Sequence, residues 1–443
     1  MKILRLAPLA LPVLGVASVS TGATHRVPSE YATINDALGV SVYGDTVVVA
    51  PGTYTDWETR PGPGDGISAA VFLVDGVVVR SEAGSSVTAI DMQHEGIGFV
   101  QVVLGVDLPS ADTRLEGFTI RGVLQNAPAI LIANSGKLTV VDCRVEDVGV
   151  QAPGTGPSAL RSRYTDVEVI DCTFENCSAG VGGAIGQLAG SAVIENCEFL
   201  ACSNNAVFLD GQTGDSPSAF IADSRFIGNT SDEGSAALFI SNFIGGVEVL
   251  DCRFENNVSD GTSGAGAVSI GTGSQSITVS GCVFLGNALT GNGSGGGLFV
   301  TIPSGSVEIS GNTFYGNEVE NPFVGSAVDV SGPFQLAFSN NIVASSSPGP
   351  AVSVIQGVMI NTTCNVFWDN PGGNSVGFSL SPTDRIVNPE FCDPDSGDLT
   401  LSPLSPCLPP NSLGCGLIGA LGEGCGTVSI APESWSVIKS KYR

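Results

Sequence analysis

Positive charge is scarce in this chain. Lys and Arg total 17 against 43 Asp and Glu, for a net charge of −26, and from Phe254 to Asp384 there is no Lys, Arg or His at all. Such a surface repels nucleic acid and anionic lipid, so neither is expected as a partner. Histidine is limited to His25 and His94. Neither lies near a cysteine in a motif, which removes the usual base for a thiol nucleophile. Long apolar runs are missing as well: beyond Leu6–Ala17 no stretch is long enough to span a bilayer, so no integral membrane segment is expected in the mature chain. No Cys-x-x-Cys spacing occurs, which excludes zinc-ribbon and thioredoxin-like readings.

At the N-terminus Lys2 and Arg5 precede the short apolar stretch, which Pro8 and Pro12 interrupt, and small residues lead to a cleavage point after Ala23. This pattern predicts a removed signal peptide over 1–23 and a secreted or cell-surface protein. Glycine is abundant, at 59 of 443 residues, and charged residues make up only 14%. With many Ser, Thr and Val, that favours short strands and tight turns over helices.

The main signal is an internal repeat, apolar-x-apolar-x-x-Cys-x-Phe-x-x-Asn. It begins clearly at Cys172 and Phe174. Cys197/Phe199, Ser224/Phe226, Cys252/Phe254, Cys282/Phe284 and Asn312/Phe314 follow. Weaker copies are Phe118/Ile120, Cys143/Val145, Asn341/Val343 and Asn365/Phe367, and the spacing is 24 to 30 residues. A second ladder of small residues keeps step: Ala129, Ala159, Ala184, Ala206, Ala237, Ala267, Gly297, Ala327 and Ala351. Alternation such as Val247-x-Val249 marks strands with one buried face. A unit this short buries that face only by stacking on its neighbours, ~4.8 Å apart and in parallel. The predicted fold is an all-β, right-handed parallel β-helix, since parallel crossovers are right-handed in ~98% of cases. Phe fills the bore, the small column marks close approach of the wall, and Asn amides stack at the turn.

Thr33-Ile34-Asn35-Asp36 predicts a helix start with Thr33 as N-cap, plugging the first coil. The expected organisation is a signal peptide over 1–23 and a β-helix with its N-terminal cap over 24–372. A Cys/Pro-rich closing segment over 373–425 and a tail over 426–443 complete it. The tail, with Lys439, Lys441 and Arg443, reads as a sorting or anchoring signal. Val27-Pro-Ser-Glu-Tyr-Ala-Thr-Ile with Gly44-Asp-Thr-Val-Val-Val-Ala-Pro-Gly-Thr-Tyr resembles the opening of secreted β-helix proteins of the pectin-lyase-like superfamily. Gly182-Gly-Ala-Ile and the Phe-x-x-Asn copies resemble polymorphic outer-membrane protein repeats. Asn388-Pro-Glu-Phe, Gly397-Asp-Leu-Thr-Leu and Ser405-Pro-Cys resemble the closing segment of bacterial proteins of this fold.

The resemblance implies action on polysaccharides through paired carboxylates with an Arg or Lys, but none of the superfamily's catalytic motifs can be placed on this chain. Arg144, Arg161, Arg163, Arg225 and Arg253 of the earlier coils are the candidates for such a base, and solvated wall positions are the favoured reading. Asp142, Asp171, Asp223 and Asp251 share the slot before the Cys/Ser column, with Asn196 between. They are candidate calcium ligands or, as the favoured reading, turn residues. No other cofactor is expected. Trp57 suits either sugar stacking or packing of the cap. Of the 12 cysteines, Cys392, Cys407, Cys415 and Cys425 crowd the closing segment. Their simplest pairing of three is Cys392–Cys407 with Cys415–Cys425, and Cys177–Cys202 is a further candidate bridge. The stretches 258–266, 288–296 and 318–326 form a loop platform rich in Gly, Ser and Asn. The function read from all this is non-catalytic adhesion or binding of neutral glycans or cell-surface components. The alternatives are a diverged polysaccharide lyase or hydrolase, or a passive structural envelope component.

Overall fold

The period-two apolar pattern of each repeat folds as three short strands per coil, in a computed structural model that describes residues 22–61, 66–93, 100–123, 127–149, 158–212, 216–271, 273, 276–355 and 357–425. The bulk of the signal peptide and the whole basic tail lie outside the described residues. Three parallel sheets of 13 strands each run the length of the rod. Sheet 1 extends from Thr24–Val27 to Met359–Thr363, sheet 2 from Gly52–Tyr54 to Arg385–Ile386, and sheet 3 from Glu58–Arg60 to Ser375–Val376. In sheet 3 the first pair alone is antiparallel. The strands of sheets 2 and 3 continue past residue 372, so the coils extend to Ile386 and the closing segment begins there. Among the described residues no helix is long and apolar enough to cross a membrane.

The Phe column is present as predicted. Phe174, Phe199, Phe226, Phe254, Phe284 and Phe314 share one register and are fully buried. Their rings stack at 4.6–5.3 Å between centroids. The small column is equally buried, and its reason is visible at Gly297: a Cβ there would stand 3.3 Å from Cδ1 of Phe314. Apolar burial at ~25 cal/mol per Å², added coil by coil, stabilises a continuous core from Val27 to Phe367.

Two asparagine ladders close the turns. Asn229, Asn257 and Asn287 donate from Nδ2 to the next Oδ1 at 2.9–3.0 Å, and the ladder ends at Asn317, whose Nδ2 donates to Phe284 O. Asn312, Asn341 and Asn365 form the second ladder, in the slot that Cys143, Cys172, Cys197, Ser224, Cys252 and Cys282 occupy earlier. That slot requires a donor for a main-chain carbonyl, which a thiol, a hydroxyl and an amide can each supply.

The cap forms as read from the sequence. Thr33 and Asp36 make a capping box on the helix Ile34–Leu38, whose Ile34, Ala37 and Leu38 enter the core. Trp57 is 37% exposed and is not part of the core that the cap helix joins.

The disulfide expectation is corrected. The bridges are Cys364–Cys415 and Cys392–Cys425. The strands Phe391–Asp393 and Asp398–Leu401 form a hairpin, and the chain returns beside Leu401 at Gly422 and Gly424, which carries Cys425 back to Cys392. Cys407 is a buried free thiol among Ile342, Leu408 and Ile418, and burial pushes its pKa up to about 12. Cys177 and Cys202 are free as well. Each sulfur donates to main-chain carbonyls, Cys177 to Glu175 and Val145, Cys202 to Leu200 and Phe174, and no bond joins the two sulfurs.

Candidate functional site

The turn after the Asn column is where the coils differ most, and part of it is ordered into a fourth parallel ladder. Thr230–Ser231, Val258–Ser259, Ala288–Leu289 and Glu318–Val319 pair in register, and Ser203 joins at one end through a bridge to Thr230. Alternation decides which side chains face out. Ser231, Ser259, Leu289 and Val319 are buried, while Thr230, Val258 and Glu318 are exposed. A groove of about 370 Å³ lies along this face, lined by Ser203, Thr230, Asp232, Val258, Asp260 and Thr290 among others. Its chemistry is hydroxyls, two carboxylates and one apolar strip, without a cation.

The four aspartates read as calcium candidates are turn residues with left-handed backbone, at φ 49° for Asp142, 56° for Asp171, 50° for Asp223 and 53° for Asp251. Asp and Asn tolerate that conformation better than other non-glycine residues. Asn196 divides them and donates to Asp171 Oδ1 at 2.5 Å. Among the described residues no three His, Cys, Asp or Glu side chains converge as a metal site.

The arginines fall into two groups. On the outer face of sheet 2, Arg121 binds Asp91 at 2.8 Å and Glu146 at 3.4 Å, and Arg144 binds Glu146 at 2.6 Å and also Glu175. The bond to Asp91 raises the pKa of Arg121, and the bond to Glu146 raises that of Arg144. Arg225 pairs with Glu198 and Arg253 with Glu255. Arg161 and Arg163, on the outer face of sheet 3, have no ion pair among the described residues. That three carboxylates and two guanidiniums meet on adjacent coils is hidden in the sequence, because the partners across coils lie 25 to 31 residues apart. The signal was available: these residues flank the bore position of successive repeats, and such flanking positions face outward in register.

This architecture defines a class, the right-handed parallel β-helix proteins. Residues 105–284 match the family model described as "Right handed beta helix region". No curated protein matches the chain. Among solved structures, "Crystal structure of pectate lyase Pel9A" is similar at 15% identity and a TM-score of 0.39, covering 92% of this chain and 98% of that one.

Proposed function

We propose that the chain is a secreted or cell-surface protein that binds neutral glycans on its fourth ladder without acting on them. The groove carries this reading. Sugar hydroxyls need donors and acceptors at close spacing, and Ser203, Thr230, Thr290, Asp232 and Asp260 supply them beside the apolar strip of Val258. The absence of Lys, Arg and His from Phe254 to Asp384 disfavours polyanions on this face. Replacing whole loops is the wrong test, because 258–266, 288–296 and 318–326 contribute the buried Ser259, Ala265, Leu289, Val319 and Ser326. The test is a glycan panel with and without calcium, followed by Thr230→Val and Asp260→Ala. Both variants are expected to keep the parent's melting temperature and to lose at least tenfold in affinity. A parent that binds no neutral glycan sinks the proposal.

A second reading, a polysaccharide lyase or hydrolase, is favoured by the cluster of Asp91, Glu146 and Glu175 around Arg121 and Arg144. Carboxylates can hold a cation and a guanidinium can meet an acidic substrate. Release of unsaturated uronides from pectate, lost in Arg121→Gln, would establish it over the first. A passive envelope role remains if neither binding nor turnover is found.

A further inference from the structure

On the outer face of sheet 3 one register column reads Leu131, Arg161, Gly186, Phe208 and Phe239 in successive coils. Phe208 and Phe239 stack with centroids 5.4 Å apart and planes 7° from parallel. Phe239 therefore covers one face of Phe208, and the other face looks back along the rod toward the coil of Gly186. There the column lacks a side chain. Glycine is required at that position, since a Cβ would stand 2.0 Å from Ser158 Oγ, whose hydroxyl donates to Val181 O at 2.9 Å. Ser158 Oγ fills the Cβ position itself, and beside it lies a cavity of about 430 Å³ lined by Ser158, Arg161, Val181, Gly186, Leu188 and Phe208 among others.

Arg161 closes the far side of this notch. Among the described residues it has neither an ion pair nor a hydrogen bond from its side chain, and neither has Arg163, two positions along the same outer face. Arg114, Arg121, Arg144, Arg225 and Arg253 all hold carboxylates. Burial and then the charge of Arg163 lower the pKa of Arg161. A partly buried guanidinium without counter-charge is unfavourable, and an anion arriving there removes that cost. Arg80 also holds no carboxylate among the described residues, but it is exposed on sheet 1, whereas Arg161 and Arg163 stand side by side on sheet 3 in a chain of net charge −26.

We propose that this notch binds a flat aromatic carboxylate. Its ring lies in the cavity beside Gly186, against the face of Phe208 that Phe239 leaves uncovered, and extends the Phe239–Phe208 stack. Its carboxylate is taken by the guanidinium of Arg161, in the fork geometry that arginine offers, with Arg163 adding attraction from the rim. This site is separate from the fourth-ladder groove and does not depend on the glycan reading.

The test is calorimetric titration of the whole chain with 2-naphthoate. Parallel arms use 2-naphthamide, which keeps the ring and loses the charge, and cyclohexanecarboxylate, which keeps the charge and loses the flat ring. Saturable one-to-one binding of naphthoate is expected, with both analogues at least tenfold weaker. Arg161→Gln and Phe208→Leu should each weaken naphthoate at least tenfold. Arg161→Gln should not lower the melting temperature of the free protein, because it removes an unpaired charge. A structural arginine would behave in the opposite way. Failure of the parent to bind naphthoate, survival of binding in both variants, or equal affinity for cyclohexanecarboxylate would overturn the proposal.

Discussion

A buried asparagine must satisfy two donors and an acceptor, and in this rod it does so along the axis. Asn287 donates to Asn317 Oδ1 and to Phe254 O, and its own Oδ1 accepts from the amide and side chain of Asn257. Replacing it with Ala leaves several groups unpaired at once, each costing about 1–3 kcal/mol. Asn287→Ala should therefore destabilise by more than about 2 kcal/mol in denaturant melts. The second ladder needs an end, and Asp384 provides it, accepting from the Asn365 amide and side chain, from Thr362 and from Ser381 N. Burial would raise its pKa, but these hydrogen bonds outweigh burial and hold it below the ordinary value. Its contribution is complete above the unfolded pKa and is lost as pH falls through the lowered folded one. Asp329 behaves oppositely. It lies buried on the outer face of sheet 3, accepts only from Gly325 N, and has an Oδ1 without a partner among the described residues. Burial raises its pKa to about 6. Because this carboxylate binds its proton more tightly when folded, stability falls as pH rises from about 4 through about 6, by up to about 3 kcal/mol. Asp329→Asn should raise the melting temperature at pH 7–8, with the gain fading below about pH 4. An equal gain at every pH would refute it.

At the scale of elements, the outer face of sheet 2 changes character along the rod. The residues flanking the bore position are Thr173 and Glu175, Glu198 and Leu200, Arg225 and Ile227, and Arg253 and Glu255 in the earlier coils. They become Val283 and Leu285, Thr313 and Tyr315, and Ile342 and Ala344 in the later ones. The closing segment lies on the apolar part. Leu399 packs on Val283 and Leu285, while Leu401, Leu408 and Ile418 pack on Ile342, Ala344 and Val366. Arg253 reaches across to Gly397 O, and Thr313 accepts from Ala420 N. The repeat, the small column and the N-terminal capping box were legible in the sequence because each depends on local spacing. The place of the closing segment was not: its signal is a change of polarity at two positions per coil, seen only once register is known. Cysteine spacing alone could not tell that Cys364 of the last full coil, instead of Cys407, is a partner of the segment. The Cys364–Cys415 bridge closes 51 residues, and a loop of that length corresponds to about 4 kcal/mol in the chain-entropy model. Peptide mapping without reduction should recover Cys364–Cys415 and Cys392–Cys425 with Cys407 free. Cys364→Ser with Cys415→Ser should lower the melting temperature while leaving the early coils unchanged.

For the molecule as a whole, the interior is one stack of coils in which each touches the next, so stability is close to a sum of neighbour terms. Phe254 sits in mid-stack, with Phe226 and Phe284 each 4.9 Å away. Removing its ring leaves a cavity that both neighbours line, and Phe254→Ala should cost ~3–5 kcal/mol. The damage has a definite reach. Strands at Arg225–Ile227, Arg253–Glu255 and Val283–Leu285 lose packing and should exchange their amide hydrogens faster. Thr24–Val27 and Thr46–Val49, under the N-terminal cap, share no contact with the cavity and should keep the parent's protection. The Asn229–Asn317 ladder crosses the damaged coils through main-chain and amide bonds that do not involve the ring, so register should persist although the bore is loosened. Hydrogen exchange read by mass spectrometry distinguishes this from a single cooperative unit. Uniform acceleration from the first strand to the last would mean that the rod unfolds as one body and that its coils are not separable neighbours.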